Sequence, residues 1–450
     1  MRYPSRPGLR CITGGRTLLV LIAITTLTAS LSSLAATPDD GATATVDIRP
    51  LFEGIAVRAI EHGPMARQSA TQIEAAGFDL DEARGRRWPQ LDLGMQSALV
   101  SPTANAAGPA RRAPVTTLSA TTMLFDWGRT GSSIEAAEFG VKAARERHDA
   151  NLASIVYQAC SGFTVLARQA ELAGLAETYV ARMAALVDML AQIVAVDAGR
   201  ASELTQARAR LLQARSLHEM AESRVREAQT EMRKLIGESL PPLPPTAQWE
   251  LPLPGLELAI ANVAQDPLIL AANADIRAAE KRADVVKASG MPALNLIVSR
   301  PLSRDAYGRP PGWQVGLALN MPLGRGGSIN AAAGAAYERA RGEAWRRDQL
   351  LLDLEYRVRS AHHEAYSTAA RSLSYAELSV ELKKVRDNFF EQWLHLGRRS
   401  LLDVLNAQSD HYGNEVSAVT SKYEAYAANL KLRASSGQLV PWVRGDAARQ

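Results

Sequence analysis

Cysteine is almost absent from this chain of 450 residues: Cys11 and Cys160 are the only two. A single thiol in the body of the protein closes no internal disulfide and holds no metal by itself. Histidine is scarce as well, and His362-His363-Glu364 lacks the H-E-x-x-H spacing of a zinc site; adjacent helical positions also point to different sides. Gly324-Arg325-Gly326-Gly327-Ser328 has no lysine to serve a phosphate loop and reads instead as a strand-to-helix turn. No constellation calls for a cofactor or marks an enzyme. Excess charge is missing too. The formal net charge of +4 comes from Arg2, Arg6, Arg10 and Arg16; beyond residue 36, basic residues balance the 47 acidic ones. A nucleic-acid partner therefore has no electrostatic support.

Long apolar runs are missing except at the start. Arginine-rich residues 2–16 precede an apolar stretch from Leu18 to Leu34, and Ser33-Leu34-Ala35-Ala36 supplies small residues for cleavage. That order predicts an export signal over residues 1–36. A membrane anchor is the alternative, but the stretch is short and runs into Ala36-Thr37-Pro38-Asp39-Asp40. Cys11 lies before the apolar core, so it is not the acylated first residue of a lipoprotein. No later segment reaches about 18 continuous apolar residues, so an exported chain is soluble or inserts as a barrel.

What the chain does have is repetition. Gly63-Pro64 faces Asp266-Pro267, Trp88-Pro89-Gln90-Leu91 faces Met291-Pro292-Ala293-Leu294, and Gly128 faces Gly327. Gly199-Arg200-Ala201-Ser202 faces Gly397-Arg398-Arg399-Ser400, and Gly237 faces Gly437. These pairs keep a nearly constant offset of about 200 residues, which marks two copies of one unit. The predicted organisation is a first repeat over 37–238, a Pro-rich linker over 239–254, a second repeat over 255–438 and a C-terminal tail over 439–450. The linker, Ser239-Leu240-Pro241-Pro242-Leu243-Pro244-Pro245-Thr246, reads as an extended polyproline spacer.

Each copy opens with a helical pattern (Ile60, Ile73, Ala76, Leu80; Leu270, Ile276, Ala279), broken where Pro64 or Pro267 starts a second helix. Two strands follow. Leu91 to Gln96, Thr117 to Leu124, Leu294 to Val298 and residues 313–323 alternate with period two. Trp313, Val315, Leu317, Leu319 and Met321 are predicted to face lipid, with Ala318 toward the lumen. Trp88, Trp313 and Tyr307 are candidates for an interface belt. Pro/Gly-rich loops at 101–114 and 301–312 join the strands. A soluble sheet packed on the helices remains the alternative. Then come proline-free runs from Gly128 to Gly199 and Gly327 to Gly397, each about 105 Å long as a helix. Return helices end at Gly237 and Gly437. Four strands cannot close a barrel, but three chains supply twelve.

Leu124-Phe125-Asp126-Trp127-Gly128-Arg129 and Gly397-Arg398-Arg399-Ser400-Leu401-Leu402-Asp403-Val404-Leu405-Asn406-Ala407, with the two-copy layout, resemble the TolC family of outer-membrane channels. The resemblance covers the chain beyond the signal. It implies a mainly α fold with a membrane β-barrel: a homotrimer of twelve strands in the outer membrane above a periplasmic α-helical tunnel. It also implies coupling through a periplasmic adaptor (membrane fusion) protein to an inner-membrane transporter of ABC type. Val196-Asp197-Ala198-Gly199-Arg200-Ala201-Ser202-Glu203-Leu204 is similar to members serving type I secretion of large adhesins; drug or metal efflux is the alternative.

In the family a D-V-L-D pattern rings the periplasmic entrance with carboxylates. Asp403 matches the first, whereas Asn406 stands at the second, so a doubled ring is not implied. Arg399 matches a basic residue that holds the entrance closed, and four residues separate it from Asp403, the spacing of one helix face. Gly199, Ser202, Gly397 and Ser400 are expected at adaptor-contacting helix tips, with glycine supplying a positive φ that reverses the chain. A soluble periplasmic adaptor is the reading from another class. It would carry one hairpin around a β-rich module, not two copies with strand pairs.

Overall fold

The computed structural model describes residues 45–96, 115–244, 248–303 and 309–445. The export signal with its cleavage site, Cys11, loop 101–114, Tyr307 and Pro245-Thr246 lie outside the described residues. All described residues belong to one compact unit, Ala44–Gln450.

Two short strands come first in importance for the connections: β1 (Thr45–Val46) and, between the copies, β4 (Gln248–Trp249), which pair in parallel. Copy one then runs α1 (Arg49–His62), α2 (Pro64–Gly85), β2 (Gln90–Gln96), β3 (Val115–Phe125), α3 (Arg129–Val196), a 3-10 turn at Ala198–Arg200 and α4 (Ala201–Ile236). Copy two runs α5 (Leu256–Val263), α6 (Pro267–Ala288), β5 (Ala293–Pro301), β6 (Gln314–Asn320), α7 (Ser328–Leu394) and α8 (Leu401–Ser435), and α9 (Leu439–Val443) follows. Pro64 and Pro267 each occupy a first helical position, where a missing N–H costs nothing. Asp266 caps α6 by accepting from the Leu268 N–H at 2.8 Å.

The 68 residues of α3 make a rod of about 102 Å, and the 36 of α4 one of about 54 Å, so α1 with α2 fills the rest of its flank. Near the strands the helices lie in the order α2, α3, α6, α7; at the far end the order is α4, α3, α8, α7. Polar side chains stitch the two copies along this layer: Lys281 to Glu135 at 2.6 Å, Arg147 to Asp275, and Lys422 to Glu171 at 2.7 Å.

The linker is not a free spacer. Trp249 is buried between Phe52 and Tyr423, both edge-on, and the stacked faces of Phe163 and Tyr426. Its N–H donates to the Tyr426 hydroxyl at 3.0 Å, and Asn429 Nδ2 donates to the Leu251 carbonyl at 2.8 Å. One buried indole thus anchors the linker to the helical core. The segment read as a tail begins with α9, whose Trp442 covers the Arg433 guanidinium at 4.5 Å. Burial pushes Arg433 down to about 10. Cys160 sits in the same core, where burial pushes its thiol up to about 12 and makes it an inert apolar filler.

Candidate functional site

The four long strands form one antiparallel sheet in the order β2-β3-β5-β6, and among the described residues no helix lies across either face. Paired positions share a face. Leu91, Ala120, Val298 and Val315 line up across the sheet, and Thr122, Leu296 and Leu317 form the next row. The opposite rows carry Asp92 with Ser119 and Ser299, and Asn295 with Ala318. One face is therefore mostly apolar, with Arg300 beside Leu118, and the other mostly polar, with Ile297 beside Thr121 and Met123 beside Asn295; both are open. Val315, Leu317 and Leu319 stay 70%, 68% and 70% exposed. A soluble sheet would hide such a face; among the described residues nothing of this chain covers it. β6 itself spans only Gln314–Asn320, so Trp313 and Met321 flank the strand as exposed residues.

A bulge refines the alternation. The register shifts between Met123 and Phe125, so Phe125, not Leu124, pairs with Leu294 and continues the apolar face. Phe125 then meets Trp127 edge-on at 5.3 Å. The turns into the two long helices repeat the same backbone: Trp127 and Gly128 at φ 55 and 81, Gly326 and Gly327 at φ 56 and 80. Asp126 fixes the first turn by accepting from the Thr130 N–H and hydroxyl at 2.7 and 2.6 Å.

The two helix turns lie at the other end. They share an apolar cluster in which Leu190, Leu204 and Leu211 meet Trp393, Leu401 and Val404. In turn one Asp197 caps Gly199 at 3.0 Å, and Arg200 binds Glu203 at 2.7 Å while lying over the Trp393 ring at 5.4 Å. Gly199 does not take a positive φ; the extended Asp197 (φ −125, ψ 90) reverses the chain there. In turn two Gly397 does, at φ 61. Ser202 and Ser400 are both exposed.

Ser400 is the N-cap of α8 in a reciprocal box: the Asp403 N–H donates to Ser400 Oγ at 3.2 Å, and the Ser400 N–H donates to Asp403 Oδ2 at 3.1 Å. These bonds from Ser400 hold the Asp403 carboxyl below its usual range, and the Arg399 charge acts in the same direction. Arg399 precedes the helix, so the expected one-face pairing with Asp403 does not form. Its guanidinium instead lies over Phe389 at 4.2 Å and donates to Gln392 Oε1 at 3.2 Å, both on α7. Asn406 is exposed one turn beyond.

A polar knot behind turn two escaped the sequence reading. His411 of α8, 2% exposed, lies 3.1 Å from Glu415, and Arg182 of α3 reaches Glu415 at 3.3 Å. Burial lowers the His411 pKa, as do the Arg386 and Arg182 charges, against Glu415 and Asp387. The i, i+4 spacing of His411 and Glu415 was visible, but their partner lies on the other copy. Among the described residues no group of three or more His, Cys, Asp or Glu is arranged to hold a metal; Glu364 of the His-His-Glu segment binds Lys431 at 2.7 Å.

Residues 56–238 and 261–438 match the family described as outer membrane efflux protein. Outer membrane efflux protein BepC of Brucella suis biovar 1 is 25% identical over 331 residues, 70% of this chain and 70% of its own. Protein CyaE of Bordetella pertussis is 24% identical over 407 residues, 86% of this chain and 83% of its own. The crystal structure of the Campylobacter jejuni CmeC outer membrane channel shares the fold with a TM-score of 0.75 at 16% identity, covering 93% of this chain and 94% of that one.

Proposed function

We propose, from the premise that this chain belongs to the outer membrane efflux protein family, that three copies close into one exit duct that serves type I secretion of a large adhesin. The protein is an outer-membrane transport channel with a helical tunnel domain, and not an enzyme. The soluble-adaptor reading falls with that membership.

The observation that carries the trimer is the open sheet. Among the described residues β2 and β6 each have one unpaired edge, and unpaired backbone groups cannot stay open in lipid. The layer's rims carry matching apolar residues, Phe78, Leu212 and Met220 on one and Trp345, Tyr366 and Leu373 on the other. Cross-linking of detergent-extracted protein is expected to stop at three chains; a monodisperse monomer that needs no detergent contradicts the assembly.

The secretion branch rests on residues 196–204, the segment at turn one. In this reading Gly199, Ser202, Gly397 and Ser400 meet a periplasmic adaptor, which connects the duct to an ABC-type inner-membrane transporter. Asp403 rings the entrance, with Arg399 bracing the turn through Phe389 and Gln392. Trp313, Val315, Leu317, Leu319 and Met321 face outer-membrane lipid. The discriminating experiment deletes the gene and scores surface adhesin beside drug and metal tolerance. Loss of adhesin alone supports secretion; loss of tolerance alone replaces it with small-molecule efflux.

A further inference from the structure

Each strand meets its helix at the same end of the sheet, so four junctions, taken with the adjoining helix ends, lie side by side: 86–89, 126–129, 287–292 and 321–328. Their composition departs from the balanced chain. They hold five basic residues and one acid, Asp126, whose carboxylate is engaged by Thr130. Arg86 is paired with Glu82 at 2.6 Å. Arg87, Arg129, Lys287 and Arg325 are exposed, and none has an ion-pair partner among the described residues. On the adjoining helices Arg84 is paired with Glu138 at 3.1 Å and Lys281 with Glu135 at 2.6 Å, whereas Arg282 and Lys142 are exposed with no ion-pair partner among the described residues.

Beside each free cation stands an exposed apolar group: Trp88 by Arg87, Trp127 by Arg129, Met291 near Lys287 and Leu323 near Arg325. Trp127 also touches Phe125, which belongs to the apolar face of the sheet. An indole at the edge of an apolar band sits at headgroup depth, and a free cation at that depth meets phosphate. We infer that the four junctions form a basic collar that binds the phosphate groups of anionic phospholipids at the periplasmic surface of the membrane. This rests on the reading of the sheet as the membrane-inserted part, and it adds a lipid class to it. In a trimer the collar repeats around the ring.

The test uses the full-length protein reconstituted in phosphatidylcholine vesicles that contain either brominated phosphatidylglycerol or brominated phosphatidylcholine. Bromine quenches tryptophan at short range. Among the described residues Trp88, Trp127 and Trp313 are the indoles at the sheet; Trp345 is exposed on α7, about 25 Å along the helix from the junction, and Trp249, Trp393 and Trp442 are buried in helical cores. The wild-type protein is expected to prefer the anionic quencher by about fivefold or more, the factor one engaged basic residue supplies near an anionic surface. High salt is expected to reduce that preference. The combined variant Arg87→Gln, Arg129→Gln, Lys287→Gln and Arg325→Gln is expected to lose it while phosphatidylcholine still quenches. Equal quenching by both lipids in the wild type overturns the collar, as does a preference that salt leaves untouched, even if the variant fails to assemble. Quenching by neither lipid overturns the membrane reading of the sheet, and the collar with it.

Discussion

α3 buries seventeen side chains along 68 residues, whereas α7, its counterpart in the second copy, buries seven along 67. In the return arms the inequality reverses: α8 buries fourteen of 35 and α4 seven of 36. The strand order explains both. With β3 and β5 in the middle and β2 and β6 at the rims, α3 and α8 stand inside the layer while α7 and α4 stand at its edges. Duplication supplied nearly equal lengths and the same strand-to-helix turns. Position then divided the work, so the inner arms hold one chain together and the outer arms keep apolar residues exposed, as the proposed trimer requires.

That division is breakable, and the largest effect is expected inside. Phe163→Ala on α3, at the centre of the Phe52, Trp249 and Trp442 cluster, should cost about 3–5 kcal/mol in denaturant unfolding. Tyr366→Ala on α7 should leave chain stability within about 0.5 kcal/mol but lower the trimer fraction in cross-linking. Similar losses at both sites would mean that the arms are not divided as described. Next comes the sheet. Leu317→Arg should cost about 2–4 kcal/mol at midplane depth, whereas Ala318→Arg, on the polar face, should mainly change conductance in single-channel recording.

The two turns sharpen the comparison at smaller scale. Gly397→Ala forces a side chain into a positive φ and should cost about 1–2 kcal/mol. Gly199→Ala meets only the Asp197 carboxylate oxygen, at 3.1 Å, and should cost a few tenths, about 0.5 kcal/mol at most. Ser400→Ala should remove about 1 kcal/mol of capping with cation selectivity intact, while Asp403→Asn should weaken selectivity if its charge borders the pore. The smallest effect is a pH dependence. His411 has its folded pKa depressed below the ordinary 6.5. The unfolded chain therefore binds more protons near that pH, so stability present above 6.5 declines as pH falls. His411→Gln should flatten that decline in thermal scans at graded pH.

Much of this architecture is legible in the chain because its punctuation is local. Pro64 and Pro267 open helices, the paired glycines turn strands into helices, and period two marks the strands. What escapes is what local patterns cannot encode. Trp249 pairs through a two-residue strand, too short to alternate. The Leu124 bulge changes the parity of one strand against a partner in the other copy. Arg399 has the spacing to join Asp403, but Ser400 starts the helix one residue too late. The knot of Arg182, His411 and Glu415 joins residues whose meeting depends on both copies being folded.

An unbroken α3 also has mechanical meaning. Phe163 lies near the midpoint of the rod, in the densest core of the chain, with roughly 50 Å of helix on either side. A stiff rod held at its middle is a lever with the aromatic cluster as fulcrum. A rotation of about 10° there carries the turn at Asp197 through roughly 9 Å, several times the slack of any side-chain contact. A tilt of that kind would have to carry the far-end cluster of Leu190, Leu204, Leu401 and Val404 with it, so the tips could move only as one packed body.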